Sequence, residues 1–110
     1  MASTAVEQSI SIASVSADLP ILKEATTSRV VVNNDVLRVV DFVFDAGQLL
    51  TEHASPKAVV VTLLEGEMEF DVAGEITLLS DGGMIYLAPG ERHALRAVTP
   101  CRMRLVMVNV

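Results

Sequence analysis

Short apolar stretches, some alternating with polar residues and some continuous, follow one another from Ser28 to the C terminus. Turn-forming groups such as Asn-Asn-Asp, Asp-Gly-Gly and Pro-Gly separate them at short intervals, and no stretch after residue 30 has the period of a helix. This rhythm is typical of an antiparallel sandwich or barrel and predicts an all-β fold. The predicted β segments are 28–35, 36–47, 57–66, 67–74, 75–83, 84–90, 93–98 and 101–110.

Two of these segments have different hydrophobic patterns. In EMEFDV the apolar residues Met68 and Phe70 alternate with carboxylates, which predicts one face toward the core and an acidic face toward solvent. AVVVTLL is apolar at both alternating sets of positions, so we expect one face in the barrel interior and the other against a second sheet or subunit. A homodimer is therefore predicted.

The first residues differ from the rest of the chain. Residues 1–19 are rich in serine and carry little charge, with isoleucines in loose alternation. This pattern predicts a flexible N-terminal arm, or a strand added to another sheet. Residues 20–110 then form one barrel domain.

Composition narrows the class of protein. Hydrophobic residues make up 51% of the chain and charged residues 20%, yet no apolar run reaches the length of about 18 residues that a membrane span needs. The first residues do not resemble a secretory signal, and the single cysteine, Cys101, fits a small buried thiol, so we expect a cytoplasmic protein with no membrane partner.

The net charge of the chain indicates which kinds of partner it can bind. A net charge of −6 argues against binding to nucleic acid, whose phosphates would be repelled. Four arginines near the C terminus have two interpretations, a positive patch around an anionic ligand or solvated side chains scattered over strands. These arginines are Arg92, Arg96, Arg102 and Arg104.

Two stretches carry candidate chemistry, and the first is GQLLTEHASPKAVVVTLLEG, residues 47–66. It resembles the first motif of the cupins, with Gly47, His53 and Gly66 in register. Ser55 occupies the place of that motif's second histidine, and Val59 the place of its glutamate.

The second stretch, GGMIYLAPGERHALRA, resembles the second cupin motif. Gly82, Gly90 and His93 match it, while Pro89 is displaced by one position and Ala97 replaces the asparagine. Both motifs are degenerate, but they occur in order and are joined by strand-patterned sequence. The resemblance implies a small single-domain cupin of the conserved-barrel type, with a double-stranded β-helix, or jelly-roll barrel.

The resemblance also indicates which residues could bind a metal ion. Cupins with the full motif bind a divalent ion, often iron, manganese, zinc or nickel, through three histidines and a glutamate. Here His53 and His93 carry over as the candidate metal ligands. Two neutral imidazoles do not offset a 2+ charge, and catalytic metal sites ordinarily supply three protein ligands. We therefore expect no fixed cofactor, with a divalent metal as the alternative.

The same residues predict a ligand pocket. His53 and Ser55 are two apart on an extended segment and project from one face, and His93 follows a Pro-Gly turn that could bring it beside them. Such a cluster could orient a small ligand, or one imidazole could act as a general acid or base. Bulky residues expected to line the pocket by alternation are Met68, Phe70, Met84, Tyr86, Met103 and Met107.

Three functional hypotheses follow. The first is a small-molecule-binding protein without a fixed metal. The second is a metal-dependent cupin enzyme, an oxygenase or isomerase acting on a small organic acid or phenolic compound. The third is a structural or interaction protein with a vestigial pocket. The number of metal ligands separates the first two, and the ability of the pocket to accept a ligand separates the first from the third.

Overall fold

The computed structural model describes residues 3–16 and 19–110. These residues form no helix, and their strands follow the predicted rhythm of apolar stretches and turns. In chain order the strands are β1 (Thr26–Asn33), β2 (Leu37–Phe44), β3 (Leu49–His53), β4 (Ala58–Glu65), β5 (Met68–Val72), β6 (Glu75–Leu79), β7 (Met84–Leu87), β8 (His93–Ala97) and β9 (Cys101–Val108).

The strands form two antiparallel sheets. The larger sheet has the order β1-β2-β9-β4-β7, and the smaller has the order β3-β8-β5-β6. The inner faces of both sheets contribute to one hydrophobic core, which includes Phe44, Leu63, Met68 and Phe70. The arrangement is a jelly-roll β fold, as the sequence predicts.

Alternation along the strands determines which residues enter the core. Met68 and Phe70 on β5 are fully buried, whereas Glu67 is exposed and Glu69 half-buried. Burying a side chain as large as Phe70 or Met68 contributes roughly 1.5–3 kcal/mol to stability. The predicted inward and outward faces of EMEFDV are therefore confirmed.

Strand β7 corrects a different prediction. Ile85 and Leu87 pair with Val61 and Val59 on β4, whose side chains enter the core, and residues paired across antiparallel strands share a face. Met84 therefore lies on the outer face together with Tyr86, and the two residues are 55% and 59% exposed. The expectation that Met84 and Tyr86 face the interior is wrong, because the register of β7 places its aliphatic residues there.

A tight corner joins β4 to β5. Gly66 has a φ of 101°, and a Cβ at this position would collide with the carbonyl oxygen of Pro100. Its N–H donates to Oδ1 of Asp81 over 2.7 Å. This corner needs glycine for both the positive φ and the close backbone approach.

The outer face of the larger sheet contains a buried carboxylate. Asp41 on β2 is 0% exposed and stands opposite Arg104 on β9. Arg104 donates from Nε to Oδ1 over 2.7 Å and from Nη2 to Oδ2 over 2.9 Å. These hydrogen bonds raise the pKa of Arg104 above its ordinary value. The pair satisfies a charge that would otherwise be costly to bury.

The predicted arm, residues 1–19, is described only at 3–16 and Leu19, so Met1, Ala2, Ala17 and Asp18 lie outside the described residues. Residues 3–16 contain no strand. Thr4 N–H donates to the Asn33 carbonyl at the end of β1 over 2.9 Å. No helix in the described ranges is long and apolar enough to cross a membrane.

Candidate functional site

The two histidines meet where β3 ends and β8 begins. His53 and His93 are direct partners in the antiparallel register, and their ring centroids lie 4.1 Å apart at an interplanar angle of 61°. His93 is 8% exposed and stacks on Phe70, with centroids 6.0 Å apart, whereas His53 is exposed. The pair therefore has one fixed, buried ring and one ring open to solvent.

A β-bulge places His53 in this position. The register runs from Leu50 opposite Leu95 to His53 opposite His93, so β3 has one residue more than β8 between these pairs. Strict alternation from Leu50 would turn the neighbouring Glu52 inward instead. A bulge re-aims a side chain in this way, and it leaves Glu52 free to pair with Arg92 over 2.7 Å at the surface.

Hydrogen bonds define the same tautomer for both rings. Nδ1 of His53 lies 2.9 Å from the Thr51 carbonyl, and Nδ1 of His93 lies 3.0 Å from the Glu91 carbonyl. A carbonyl oxygen only accepts, so each Nδ1 carries a proton and, in the neutral ring, each Nε2 carries a lone pair. Both imidazoles can thus accept a hydrogen bond or ligate a cation through Nε2.

Both histidines line a cavity of about 290 Å³ between the sheets. This volume is at the lower end of the range of roughly 300–1,000 Å³ that is usual for ligand pockets. Most of its wall is apolar, and the polar contributions come from few residues. The lining consists of Ser28, Val30, Arg38, Val40, Phe42, His53, Ser55, Val59, His93, Leu105 and Met107.

Ser55 lines the cavity beside the histidines, as its spacing from His53 predicts. Its Oγ accepts a hydrogen bond from Lys57 N–H over 3.2 Å, and its carbonyl accepts one from Gly90 N–H over 2.7 Å. The second contact ties the segment after β3 to the Pro-Gly turn before β8. Ser55 therefore holds the two motif segments together while presenting its side chain near the cavity.

The bulky residues predicted to line the pocket fall into three groups. Met107 lines the cavity. Met68, Phe70 and Met103 are buried in the core but are not part of the cavity wall, although Phe70 supports His93 from behind. The remaining two, on β7, face outward as described above.

Arg38 is a cavity residue that the sequence analysis missed. It is partly buried on β2, pairs with Met107 on β9, and belongs to the inward-facing set that continues through Val40 and Phe42. A sequence signal exists, because in RVVDFVF an arginine occupies the first position of an otherwise apolar alternating row. Charged residues are rarely buried without a partner, so such a position is informative.

The four C-terminal arginines do not converge on the cavity. Arg92 pairs with Glu52, Arg96 with Glu69, Arg102 with Glu65 and Arg104 with Asp41. Each is matched by a separate carboxylate, and none lines the cavity. The interpretation as a positive patch around an anionic ligand is therefore wrong, and these arginines are distributed over the sheet surfaces.

The described residues do not fit a metal held by the protein alone. They contain no group of three or more histidine, cysteine, aspartate or glutamate side chains that could hold an ion. Val59, 3% exposed, occupies the wall where the motif's glutamate would project. The cavity thus offers two nitrogen donors and no anionic ligand among the described residues, fewer than catalytic metal sites use.

Cys101 does not complete a metal site. It is fully buried on the inner face of β9, but it lies at the end of the strand opposite Met107, the cavity residue. Its Sγ lies 3.1 and 3.0 Å from the carbonyl oxygens of Glu67 and Thr99, which share its single S–H donor. Burial raises the pKa of this thiol above its ordinary value. These features describe a structural, protonated cysteine.

Comparison with solved structures finds close matches in fold. A conserved protein of unknown function from Streptococcus pyogenes is 28% identical, with a TM-score of 0.85 over 100% of this chain and 96% of that one. An RmlC-like cupin from Desulfovibrio desulfuricans is 23% identical, with a TM-score of 0.82 over 92% of this chain and 97% of that one.

A larger enzyme shares the fold as well. Salicylate 1,2-dioxygenase from Pseudoaminobacter salicylatoxidans is 20% identical, with a TM-score of 0.72, and the match covers 76% of this chain but 25% of that one. No curated protein matches the chain.

The family assignment rests on the sequence match. The Cupin_2 family model, described as the cupin domain, matches residues 40–109, which include both histidines and the cavity residues of β4 and β9. The chain therefore belongs to the cupin domain family.

Proposed function

We propose that this protein binds a small organic molecule in the cavity between its two sheets, without a metal held by its own side chains. The observation that carries the proposal is the convergence of His53, Ser55 and His93 on one largely apolar cavity of about 290 Å³. A few convergent polar groups in an apolar pocket are the usual composition of a ligand site.

The chemistry of the histidines supports binding. With Nδ1 of each ring committed to a backbone carbonyl, Nε2 of each neutral ring is available as an acceptor. Such a pair would orient a hydroxyl or amide N–H of the ligand, while Val40, Phe42 and Leu105 contact its apolar part. The stacking of His93 on Phe70 holds one of the two acceptors in place before the ligand arrives.

The rival function is a metal-dependent enzyme acting on a small organic acid or phenolic compound. One observation favours it, since metal-bound histidines commonly donate their second ring N–H to a backbone carbonyl, as both do here. The number of ligands argues against it, because Val59 and Ser55 supply neither a carboxylate nor an imidazole. The chemistry of the donor set therefore favours an organic ligand.

A thermal-shift screen tests the proposal. Untagged protein would be heated with divalent metals and with a library of small acids, amides, phenols and alcohols. A compound present at about 100 times its dissociation constant should stabilise the protein by roughly 2.7 kcal/mol. For compounds that carry a hydroxyl, the shift should become smaller in His93→Ala and remain unchanged in the control Met84→Ala, whose side chain lies outside the cavity.

Other results would support the remaining hypotheses. Near-stoichiometric metal in the purified protein, lost in His53→Ala, would favour the metal-dependent enzyme. A melting temperature that no compound or metal moves would indicate a structural or interaction protein with a vestigial pocket.

We further propose that the protein forms a homodimer in the cytoplasm. The exposed Met84 and Tyr86 on β7, an edge strand of the larger sheet, support an apolar contact with a second copy. Light scattering should give the mass of a dimer for the wild type and of a monomer for Tyr86→Glu. A wild type that is monomeric at every concentration would contradict this proposal.

A further inference from the structure

We propose that the ligand of the cavity is a small organic carboxylate and that Arg38 binds its carboxylate group. This inference rests on the proposed function and specifies the class of ligand. It combines three observations: an arginine in the cavity wall, a buried donor atom on that arginine without an acceptor, and the lack of any acidic residue in the described wall.

The side chain of Arg38 lacks a hydrogen-bond partner at its Nε among the described residues, and this atom is buried. A buried polar atom without a partner is uncommon and costs free energy in the folded protein. Nε of Arg102 is buried without a partner as well, but Arg102 pairs with Glu65, whereas Arg38 lines the cavity and forms no ion pair with the described residues. An arginine guanidinium presents a planar fork of donors, and a carboxylate matches that fork with two parallel hydrogen bonds.

The described cavity wall carries a positive charge and no carboxylate. Arg38 contributes one permanent positive charge, and the described wall residues contribute no carboxylate. Four of the other arginines are matched by their own glutamate or aspartate. In a chain of net charge −6, a cavity with an unmatched cation selects for an anion and disfavours a cation.

The position of Arg38 within the sheet aligns it with Val59. Arg38, Met107 and Val59 are neighbours in one row across β2, β9 and β4, on the face that lines the cavity. The side chain that could have neutralised Arg38 from within the wall would come from Val59, where the family motif has a glutamate. With valine in that position, the ligand supplies the negative charge.

The rest of the wall distinguishes an organic carboxylate from an inorganic anion. The apolar residues Val30, Val40, Phe42, Leu105 and Met107 accompany Val59 around most of the cavity. An apolar wall gains free energy by covering a hydrocarbon body, which phosphate or sulfate lacks. The two imidazoles then accept from a hydroxyl or water near that body, and the site would divide recognition between the anionic group and the polar substituents.

Calorimetric titration with matched pairs of compounds tests the inference. The probes are benzoate and hexanoate, their neutral amides benzamide and hexanamide, and inorganic phosphate. The carboxylates should bind wild type more tightly than their amides by about 10- to 100-fold, since a hydrogen bond to a charged group is worth about 1.5–3 kcal/mol. Arg38→Gln should remove this preference, and Arg96→Gln, on the outer face of β8, should preserve it.

The outcomes separate the inference from the proposed function. Amides that bind as tightly as their carboxylates, or a carboxylate preference that survives Arg38→Gln, would overturn the role of Arg38 while leaving the pocket intact. Phosphate binding as tightly as benzoate would overturn the assignment of an organic ligand. The absence of binding by every probe, charged and neutral, would overturn the proposed function itself together with the inference.

Discussion

Two arginines on neighbouring strands of the larger sheet have opposite environments. Arg104, on β9, faces outward and forms two hydrogen bonds with the fully buried Asp41. Arg38, on β2, faces the cavity with its Nε buried and without a partner in the described chain. We therefore expect Arg104 to contribute to folding, because the chain supplies its anion, and Arg38 to contribute to binding, because the described chain supplies none.

The two arginines should differ most in their contribution to the free energy of unfolding. Arg104→Met should lower the free energy of unfolding by about 3 kcal/mol, because it leaves the buried Asp41 carboxylate without its partner. The effect is at the low end of the range for buried pairs, since the Arg104 side chain is 34% exposed. Urea unfolding followed by circular dichroism measures it.

Arg38→Met provides the matched comparison. Removing a donor that has no acceptor should leave the free energy of unfolding unchanged within about 0.5 kcal/mol, or raise it by up to about 1 kcal/mol. A loss as large as that of Arg104→Met would mean that Arg38 stabilises the fold, and the contrast between the two arginines would not hold.

A carboxylate introduced into the cavity wall should convert the ligand site into a metal site. Val59→Glu introduces a carboxylate into the wall that already contains His53 and His93, giving the three-ligand set that divalent metals require. We expect near-stoichiometric metal in the purified variant by elemental analysis. After the metal is removed with a chelator, benzoate should bind at least about 10-fold more weakly than to the wild type, because a carboxylate in the same row opposes the ligand's charge. Retention of wild-type benzoate affinity by a metal-free variant would contradict this prediction.

The histidines should contribute less than Arg38 to affinity. His53→Leu and His93→Leu each remove one acceptor, so benzoate derivatives that carry a hydroxyl should bind about 3- to 10-fold more weakly, corresponding to a net hydrogen bond of about 0.5–1.5 kcal/mol. Benzoate itself, which lacks that donor, should be affected little. Equal losses for both kinds of compound would indicate that the imidazoles shape the cavity instead of accepting from the ligand.

The smallest effect concerns the end of β9 that is remote from the cavity. The pKa of Cys101 is raised by burial, so in alkaline solution the unfolded chain loses this proton before the folded protein does. The contribution of Cys101 to the free energy of unfolding should therefore be fully present below the ordinary thiol pKa and should be lost as the pH rises toward the raised pKa of the folded protein. Cys101→Ala should flatten this part of the profile, and an unchanged slope would assign it to other groups.

Much of the fold is predictable from the sequence because period-two alternation and turn residues act locally. EMEFDV illustrates this, since its inward and outward residues follow from the order of apolar and acidic side chains alone. β7 illustrates the limit: MIYL contains no charged residue, so either alternating set could face inward, and only the pairing with β4 determines that Ile85 and Leu87 do.

The candidate site was predictable only in part for similar reasons. The spacing of the motifs indicates that His53, Ser55 and His93 converge, but the bulge between Leu50 and His53 depends on pairing with β8 and has no local signature. Arg38 lies on a strand that precedes both motifs, so no spacing rule connects it with them. The sequence indicates that Arg38 belongs to a row of inward-facing residues. Whether a carboxylate of the chain reaches Arg38 depends on the tertiary structure.

A single NMR titration tests the contrast between the two arginines directly. In ¹H–¹⁵N spectra of the wild type, the Nε–H signals of Arg38 and Arg104 would be assigned with the Arg38→Met and Arg104→Met variants, and benzoate would then be added. The Arg38 signal should shift progressively to saturation as benzoate binds its guanidinium, while the Arg104 signal, already bonded to Asp41, stays in place. Saturable binding of benzoate with the Arg38 signal unmoved would contradict the account.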